Sequence, residues 1–188
     1  WDADASIGIT TGEVVAIDID CYDKHVTNAI VKYCNQNIGR GLGRIGKAPK
    51  ALLLFRTDTP MAKSVSPKYI DADGNVNCVE ILGKGQQLVA YGIHPDTQKE
   101  YLWPKACPTT VPIADLPTIS AEQITELFFF FDKSTPAKWK RISAGSLQYQ
   151  PDYQPDYQSQ SQPAANQDNV LNFEHMKQPT GISTKELK

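Results

Sequence analysis

The chain has 188 residues, with 19 lysines and arginines against 21 aspartates and glutamates, and a formal net charge of −2. This length allows one domain with a hydrophobic core, and the overall charge gives no general attraction for nucleic acid. Its four cysteines form no Cys-x-x-Cys pair, which argues against a zinc ribbon or finger. No apolar run approaches the roughly 20 residues of a membrane-spanning helix. We therefore expect a cytoplasmic protein with no membrane partner.

The first clear element is a buried strand from about Glu13 to Asp20, which ends in two carboxylates. Side chains alternate between the faces of a strand, so Asp18 and Asp20 project from the same face. Neighbouring carboxylates repel each other unless a cation lies between them, which indicates a site for Mg²⁺ or Mn²⁺. The alternative is that one aspartate caps the following turn or helix and the other is solvated.

A helix is predicted next. Tyr22-Asp23 offers an N-cap, and apolar residues at helical spacing extend the helix to about Asn35. Residues 37–50 are rich in glycine and basic residues, which is typical of a loop. The short apolar run that follows is predicted to be a buried strand that ends at Arg56.

Positive charge is concentrated between Arg40 and Lys68, where seven basic residues occur with a single acid, Asp58. Such a cluster indicates contact with the phosphates of nucleotides or nucleic acid, and a solvated loop is the alternative. The glycines of this segment follow a helix and no Gly-Lys-Ser/Thr sequence occurs, so neither a Rossmann nor a Walker A loop is present. The candidates for contact with nucleic acid are Arg40, Arg44 and Lys47. The candidates for contact with nucleotide phosphate are Lys50 and Arg56.

Two further strands are predicted at 76–82 and 87–93, joined in a hairpin-like way by the glycine turn 83–85. Glu80 lies among apolar residues in the first of these strands, where an acid requires a physical reason. It is a third candidate metal ligand, and the alternative is an outward-facing residue of a half-exposed strand.

Three further candidates surround this pair of strands. Lys84 lies in the glycine turn, where it serves either to hold a triphosphate or as an ordinary hairpin tip. His94 follows the second strand and precedes a proline, and it is a candidate for lining the site. Tyr101 and Trp103 share a strand face, which favours core packing over stacking on a base.

Ser120 is predicted to begin a second helix that runs to about Asp132, with Gln123 completing a capping box. Strands interspersed with helices predict an α+β fold. Beyond about Gln148 the sequence is rich in Gln, Pro and Ser and poor in apolar residues. We therefore expect one domain over 1–147 and a disordered tail or linker over 148–188. Because the chain does not begin with Met, we expect a piece of a longer protein.

Four sequence motifs occur in a characteristic order along the chain: Gly8–Asp20, Arg44–Arg56, Val79–Thr97 and Tyr101-x-Trp103. Their order and spacing resemble the bifunctional primase–polymerase domain of the archaeo-eukaryotic primase superfamily, found in phage and plasmid replication proteins. The resemblance covers roughly residues 5–132. It implies an RRM-like catalytic core with a mixed or antiparallel sheet and flanking helices. It also implies nucleotidyl transfer directed by a single-stranded DNA template, with nucleoside triphosphates as substrates and a helicase or ATPase module in the full-length protein.

The resemblance also implies roles for residues. Asp18 and Asp20 match the family's paired metal-binding acids, and Glu80 matches its third acid. The family's second motif usually supplies a histidine to the triphosphate, but no histidine occurs over 46–56, so Lys50 or Arg56 is the expected substitute. This departure leaves open a replication module that binds nucleic acid without catalysis. A metal-dependent nuclease is a third hypothesis.

Overall fold

The structure is a computed structural model that describes residues 5–142. The predicted tail, 148–188, lies outside the described residues. The chain forms an α+β fold, as predicted. Its elements are β1 Ile7–Thr10, β2 Val14–Asp20, α1 Lys24–Asn37, β3 Leu42–Arg44, β4 Ala51–Arg56, β5 Ser64–Val65, β6 Tyr69–Ile70, β7 Val76–Leu82, β8 Gln87–Tyr91, α2 Ala121–Ser134 and β9 Lys140–Arg141, with a 3-10 turn at Ile113–Asp115.

The strands form two sheets of unequal size. The larger has the order β3-β4-β2-β7-β6-β9, and β5 also pairs with β7. The smaller consists of β1 and β8 alone. All pairs between these named strands are antiparallel. Strand β2 therefore occupies the middle of the large sheet, between β4 and β7.

The central strands are buried on both faces. Residues Ile17, Leu53 and Phe55 face the two helices, in a core that includes Leu127 and Phe131 of α2. The alternate residues face the small sheet and form a second core: Ala16, Leu52, Leu54, Leu88 and Ala90. The fold thus has three layers, with the large sheet in the middle, which explains why β2 and β4 are almost continuously apolar.

Both helices begin where the sequence predicts. Asp23 caps α1, because its Oδ1 accepts the backbone N–H of His25 at 2.8 Å and of Val26 at 3.2 Å. Ser120 caps α2 through the N–H of Gln123 at 3.3 Å, and the Gln123 side chain accepts the N–H of Ser120 at 3.0 Å. The predicted capping box is confirmed.

We expect Ser120→Ala to lower the free energy of unfolding by about 1 kcal/mol, because the Gln123 N–H loses its acceptor in the capping box. Chemical denaturation of the full chain measures this. Ser134→Ala, at the last residue of the same helix, is the matched control and should change the value by less than about 0.5 kcal/mol. Equal losses in the two variants would show that the capping box contributes nothing.

The predicted hairpin between β7 and β8 is wrong. Strand β8 pairs with β1, while β7 has β2 on one side and β5 and β6 on the other. With both edges of β7 occupied, the chain leaves the large sheet at Gly83. A Cβ at Gly83 would lie 2.2 Å from the Met61 carbonyl oxygen, so this exit requires glycine. The predicted loop 37–50 also contains a short strand, β3.

Candidate functional site

Two neighbouring strands bring the predicted acids together. The register of β2 on β7 places Asp18 opposite Glu80 and Asp20 opposite Cys78. Residues that face each other across an antiparallel pair project from the same side of the sheet, with Cβ atoms about 4.5–5.5 Å apart. One ligand atom each from Asp20, Cys78 and Glu80 lies within 4.8 Å of the others. These three residues are therefore close enough to hold one metal ion.

The surroundings of Asp18 disfavour the charged form of its carboxyl group. Burial and the charges of Asp20 and Glu80 raise its pKa from 3.8 to about 7, and the nearby Arg44 and Lys50 only partly counteract them. Near neutral pH the carboxyl group is therefore partly protonated. A cation bound beside it would relieve the repulsion and displace the proton.

Lysines already neutralise the other two acids. Lys50 Nζ lies 3.2 Å from Asp20 Oδ1, and Lys63 Nζ lies 2.7 Å from Glu80 Oε2, with Lys68 at 4.0 Å from Glu80 Oε1. Burial is the largest single influence and lowers the pKa of Lys50, but Asp20 and Tyr22 together outweigh it and the net direction is upward. Such partly exposed ion pairs contribute only about 0–1 kcal/mol, so a divalent cation can compete with them.

A pocket of about 210 Å³ opens beside Asp18 and Asp20. Its lining combines these acids with four of the cationic or imidazole side chains predicted from the sequence: Arg44, Lys47, Lys50 and His94. Carboxylates that can bind a cation and positively charged side chains that can bind phosphate therefore line the same cavity. Such an arrangement can hold an anionic ligand together with a divalent cation.

Arg44 is fixed in place above this pocket. It lies on β3 opposite Leu52, which in turn lies opposite Asp18 on β2. Its guanidinium carbon is 4.4 Å from the centroid of the Tyr101 ring, and its Nη1 donates to the Val89 carbonyl. Burial lowers the pKa of Arg44, although Asp18 acts in the opposite direction. Its buried Nε has no hydrogen-bond partner among residues 5–142.

His94 lines the pocket together with Tyr101, whose ring centroid is 5.3 Å from the imidazole. Its Nδ1 accepts the N–H of Asp96 at 3.1 Å, and Lys47 Nζ is 2.8 Å from Asp96 Oδ2. Burial lowers the pKa of His94, with Lys47 adding to the effect and Asp96 opposing it. A Cβ at Gly46 would lie 2.5 Å from Tyr101 and 2.6 Å from His94, so this part of the pocket requires glycine.

Three predicted contacts are not at the pocket. Arg56 lies four residues beyond Leu52 on β4, about 13 Å along the strand, and its Nη1 is 2.5 Å from Asp58. Lys84 follows the far end of β7, beyond the point where Leu82 faces Ala16 of β2. Arg40 is exposed before β3 and does not line the pocket. Arg56 was predicted from the basic segment and from the family's second motif, and Lys84 from its position directly after the strand of Glu80, but each strand carries them away from the acidic end.

Other residues of the site were missed. Cys78 lies two residues before Glu80, so the alternation of side chains in a strand could have placed it on the same face. Lys63 and Lys68 belong to the predicted basic segment, but their contacts with Glu80 depend on pairing of β5 and β6 with β7. Tyr101, interpreted as a core residue, lines the pocket.

Comparison of the chain with protein-family models, with curated proteins and with solved structures found no match. The resemblance to the primase–polymerase domain therefore stays a prediction from the sequence. No helix within the described range has both the length and the apolar character needed to cross a membrane. Any proposal about function depends on the geometry of the acids and the pocket.

Proposed function

We propose that the chain catalyses template-directed nucleotidyl transfer, making primers and extending DNA from nucleoside triphosphates in phage or plasmid replication. The observation that carries the proposal is the shared face of the large sheet. Asp18 and Glu80 face each other there, with Asp20 alongside, and Asp18 and Asp20 line a pocket that also contains cationic side chains. The antiparallel sheet with two helices on its other face is compatible with a primase-like, RRM-like core.

Asp18, Asp20 and Glu80 would hold Mg²⁺ or Mn²⁺, since carboxylate oxygens are the ligands these ions prefer. A pair of such ions held by these carboxylates would supply activation of the primer 3′-hydroxyl and stabilisation of the pyrophosphate leaving group. Burial, followed by the charges of Asp20 and Glu80, raises the pKa of Asp18, so a cation bound beside it would stabilise the carboxylate form.

Three residues of the pocket would bind and orient the triphosphate: Arg44, Lys50 and His94. Arg44 is held by Tyr101 and the Val89 carbonyl, so its guanidinium is preorganised for phosphate oxygens. Lys50 becomes available to phosphate when a cation replaces it at Asp20. A neutral His94 can donate from its free ring nitrogen, because Nδ1 accepts from the Asp96 N–H.

The proposed partners of the protein are a single-stranded DNA template, nucleoside triphosphates and a helicase or ATPase module elsewhere in a longer protein. We propose that the protein acts in the cytoplasm. Arg40 and Lys47 would contact the template backbone. Arg40 is well placed for this because it is exposed and lies outside the pocket.

A second candidate function is binding of nucleic acid without catalysis. The ion pairs of Asp20 with Lys50 and of Glu80 with Lys63 favour it, because they satisfy two of the three acids without a metal. Such a module would bind DNA in a salt-sensitive way and incorporate no nucleotide.

Incorporation of labelled nucleotides on a single-stranded template, primed and unprimed, with Mg²⁺ or Mn²⁺, tests the proposal. We expect incorporation by the full chain and by Asp58→Asn, whose carboxylate is exposed and remote from the pocket. The double variant Asp20→Asn/Glu80→Gln should incorporate nothing. DNA binding without incorporation by the parent would favour the binding module, and release of label from DNA without added nucleotides would favour a nuclease.

A further inference from the structure

A buried thiol adjoins the acids. The side chain of Cys78 is only 4% exposed, and its Sγ lies within 4.8 Å of carboxylate oxygens of Asp20 and Glu80. The carbonyl of Cys78 accepts from the thiol of Cys21. A thiol is thus buried close to two carboxylates.

Apolar packing does not account for the direction of this side chain. Its neighbours on β7, Val79 and Ile81, enter the core on the helix side. Cys78 has the opposite orientation, because it faces Asp20 across the strand pair. The thiol is therefore on the same face of the sheet as the carboxylates. There its sulfur adds a soft metal ligand to the hard oxygen ligands of Asp20 and Glu80.

This donor set suits a different class of cation from the three carboxylates alone. Magnesium takes oxygen ligands and has little affinity for sulfur, whereas Zn²⁺ and Cd²⁺ bind thiolate strongly and also accept carboxylate. Three protein ligands leave a position on Zn²⁺ for water.

We propose that Asp20, Cys78 and Glu80 form a binding site for a thiophilic divalent cation such as Zn²⁺. On binding, a metal–sulfur bond replaces the S–H bond of Cys78, and the proton passes to solvent. Lys50 and Lys63 give up their ion pairs with Asp20 and Glu80, whose oxygens become ligands.

The proposal concerns binding and does not depend on the proposed activity. Two of its three ligands are also ligands of the proposed Mg²⁺ or Mn²⁺ site. Zn²⁺ and the activating cation would therefore exclude each other. Zn²⁺ would inhibit a polymerase of this design even when Mg²⁺ is in excess.

Titration of the full chain with Cd²⁺ tests the site without any nucleotide, because cadmium bound to thiolate gives a charge-transfer absorption. Every protein used in this titration, including the parent, carries Cys107→Ser, which removes the only partly exposed thiol among the described residues. We expect one equivalent of Cd²⁺ to produce the band, and Zn²⁺ to displace it. Cys78→Ser should abolish the band and weaken Zn²⁺ binding by at least about tenfold. Cys34→Ser is the matched control, because Cys34 is a buried cysteine in the helix-side core. This variant should retain both the absorption band and the affinity for Zn²⁺.

A band that persists in Cys78→Ser, or is missing from the Cys107→Ser parent, would overturn the proposal. Circular dichroism reports whether Cys78→Ser folds. If it does not, Asp20→Asn keeps the thiol and removes one carboxylate, and Zn²⁺ affinity should fall by about tenfold or more. Unchanged affinity in that variant would contradict the site equally.

Discussion

Asp18→Asn is expected to abolish nucleotide incorporation and, in the same protein, to increase stability. Incorporation should fall at least about 10³-fold, because a carboxylate that holds catalytic metal contributes several kcal/mol to transition-state stabilisation. Without metal, the free energy of unfolding at neutral pH should rise by on the order of 2–4 kcal/mol. The variant removes a charge that burial and the neighbouring Asp20 disfavour.

The pH dependence of this gain has a definite sign. The pKa of Asp18 is about 7 in the folded chain, against its ordinary value of 3.8 in an unfolded one. Between these values the folded state keeps a proton that the unfolded state has lost, so the stability of the parent falls as pH rises. The advantage of Asp18→Asn should therefore be absent below about pH 4, grow up to about pH 7 and then level off.

Urea unfolding in the presence of a chelator, across this pH range, measures the effect. Asp58→Asn is the control, because Asp58 is exposed and its ion pair within residues 5–142 is with Arg56. That change should alter stability by less than about 1 kcal/mol and leave incorporation intact. A loss of stability in Asp18→Asn would mean that the carboxylate has a structural role and would remove the main support for the proposed metal site.

Arg44→Ala should lower kcat/KM for the nucleoside triphosphate about 100-fold or more. The guanidinium lies in the pocket, fixed by Tyr101 and the Val89 carbonyl, so its charge is preorganised for phosphate. Steady-state incorporation at varied triphosphate concentration measures the loss. Arg44→Lys keeps the charge but loses the planar fork, and it should recover only part of the activity.

Arg40→Ala is the matched control, since both arginines lie in the same basic segment but only Arg44 lines the pocket. It should change kcat/KM for the triphosphate by less than about threefold, whereas affinity for DNA should fall and become less salt-dependent. Equal losses of kcat/KM in Arg40→Ala and Arg44→Ala would indicate a diffuse field from the whole segment and contradict specific binding in the pocket.

Local signals in the sequence predicted much of the framework. The helix caps Asp23 and Ser120 are correct, and β7 has the predicted bounds. The two aspartates of β2 lie on one face, as strand alternation requires. These features depend on spacing within a single element, where hydrogen-bonding and alternation rules act over a few residues.

Contacts between distant elements were not predictable in the same way. The sequence offered Lys84 as a contact for a triphosphate because it directly follows the strand of Glu80, but the lysine that contacts Glu80 is Lys63. That contact arises from the pairing of β5 with β7, which is specified by packing across the whole sheet. The predicted hairpin with β8 is wrong for the same reason, since β7 already has partners on both edges.

The order of strands in the large sheet also affects when the site comes into existence. Asp18 and Glu80 are cross-strand neighbours, yet α1, β3, β4, β5 and β6 lie between them along the chain. Pairing of such remote strands is a late and slow event in folding, because much chain entropy is lost before the contact forms. A nascent chain that has made β2 therefore holds no assembled cation site. We expect a bound divalent cation to slow unfolding of the completed sheet while leaving the rate of refolding almost unchanged.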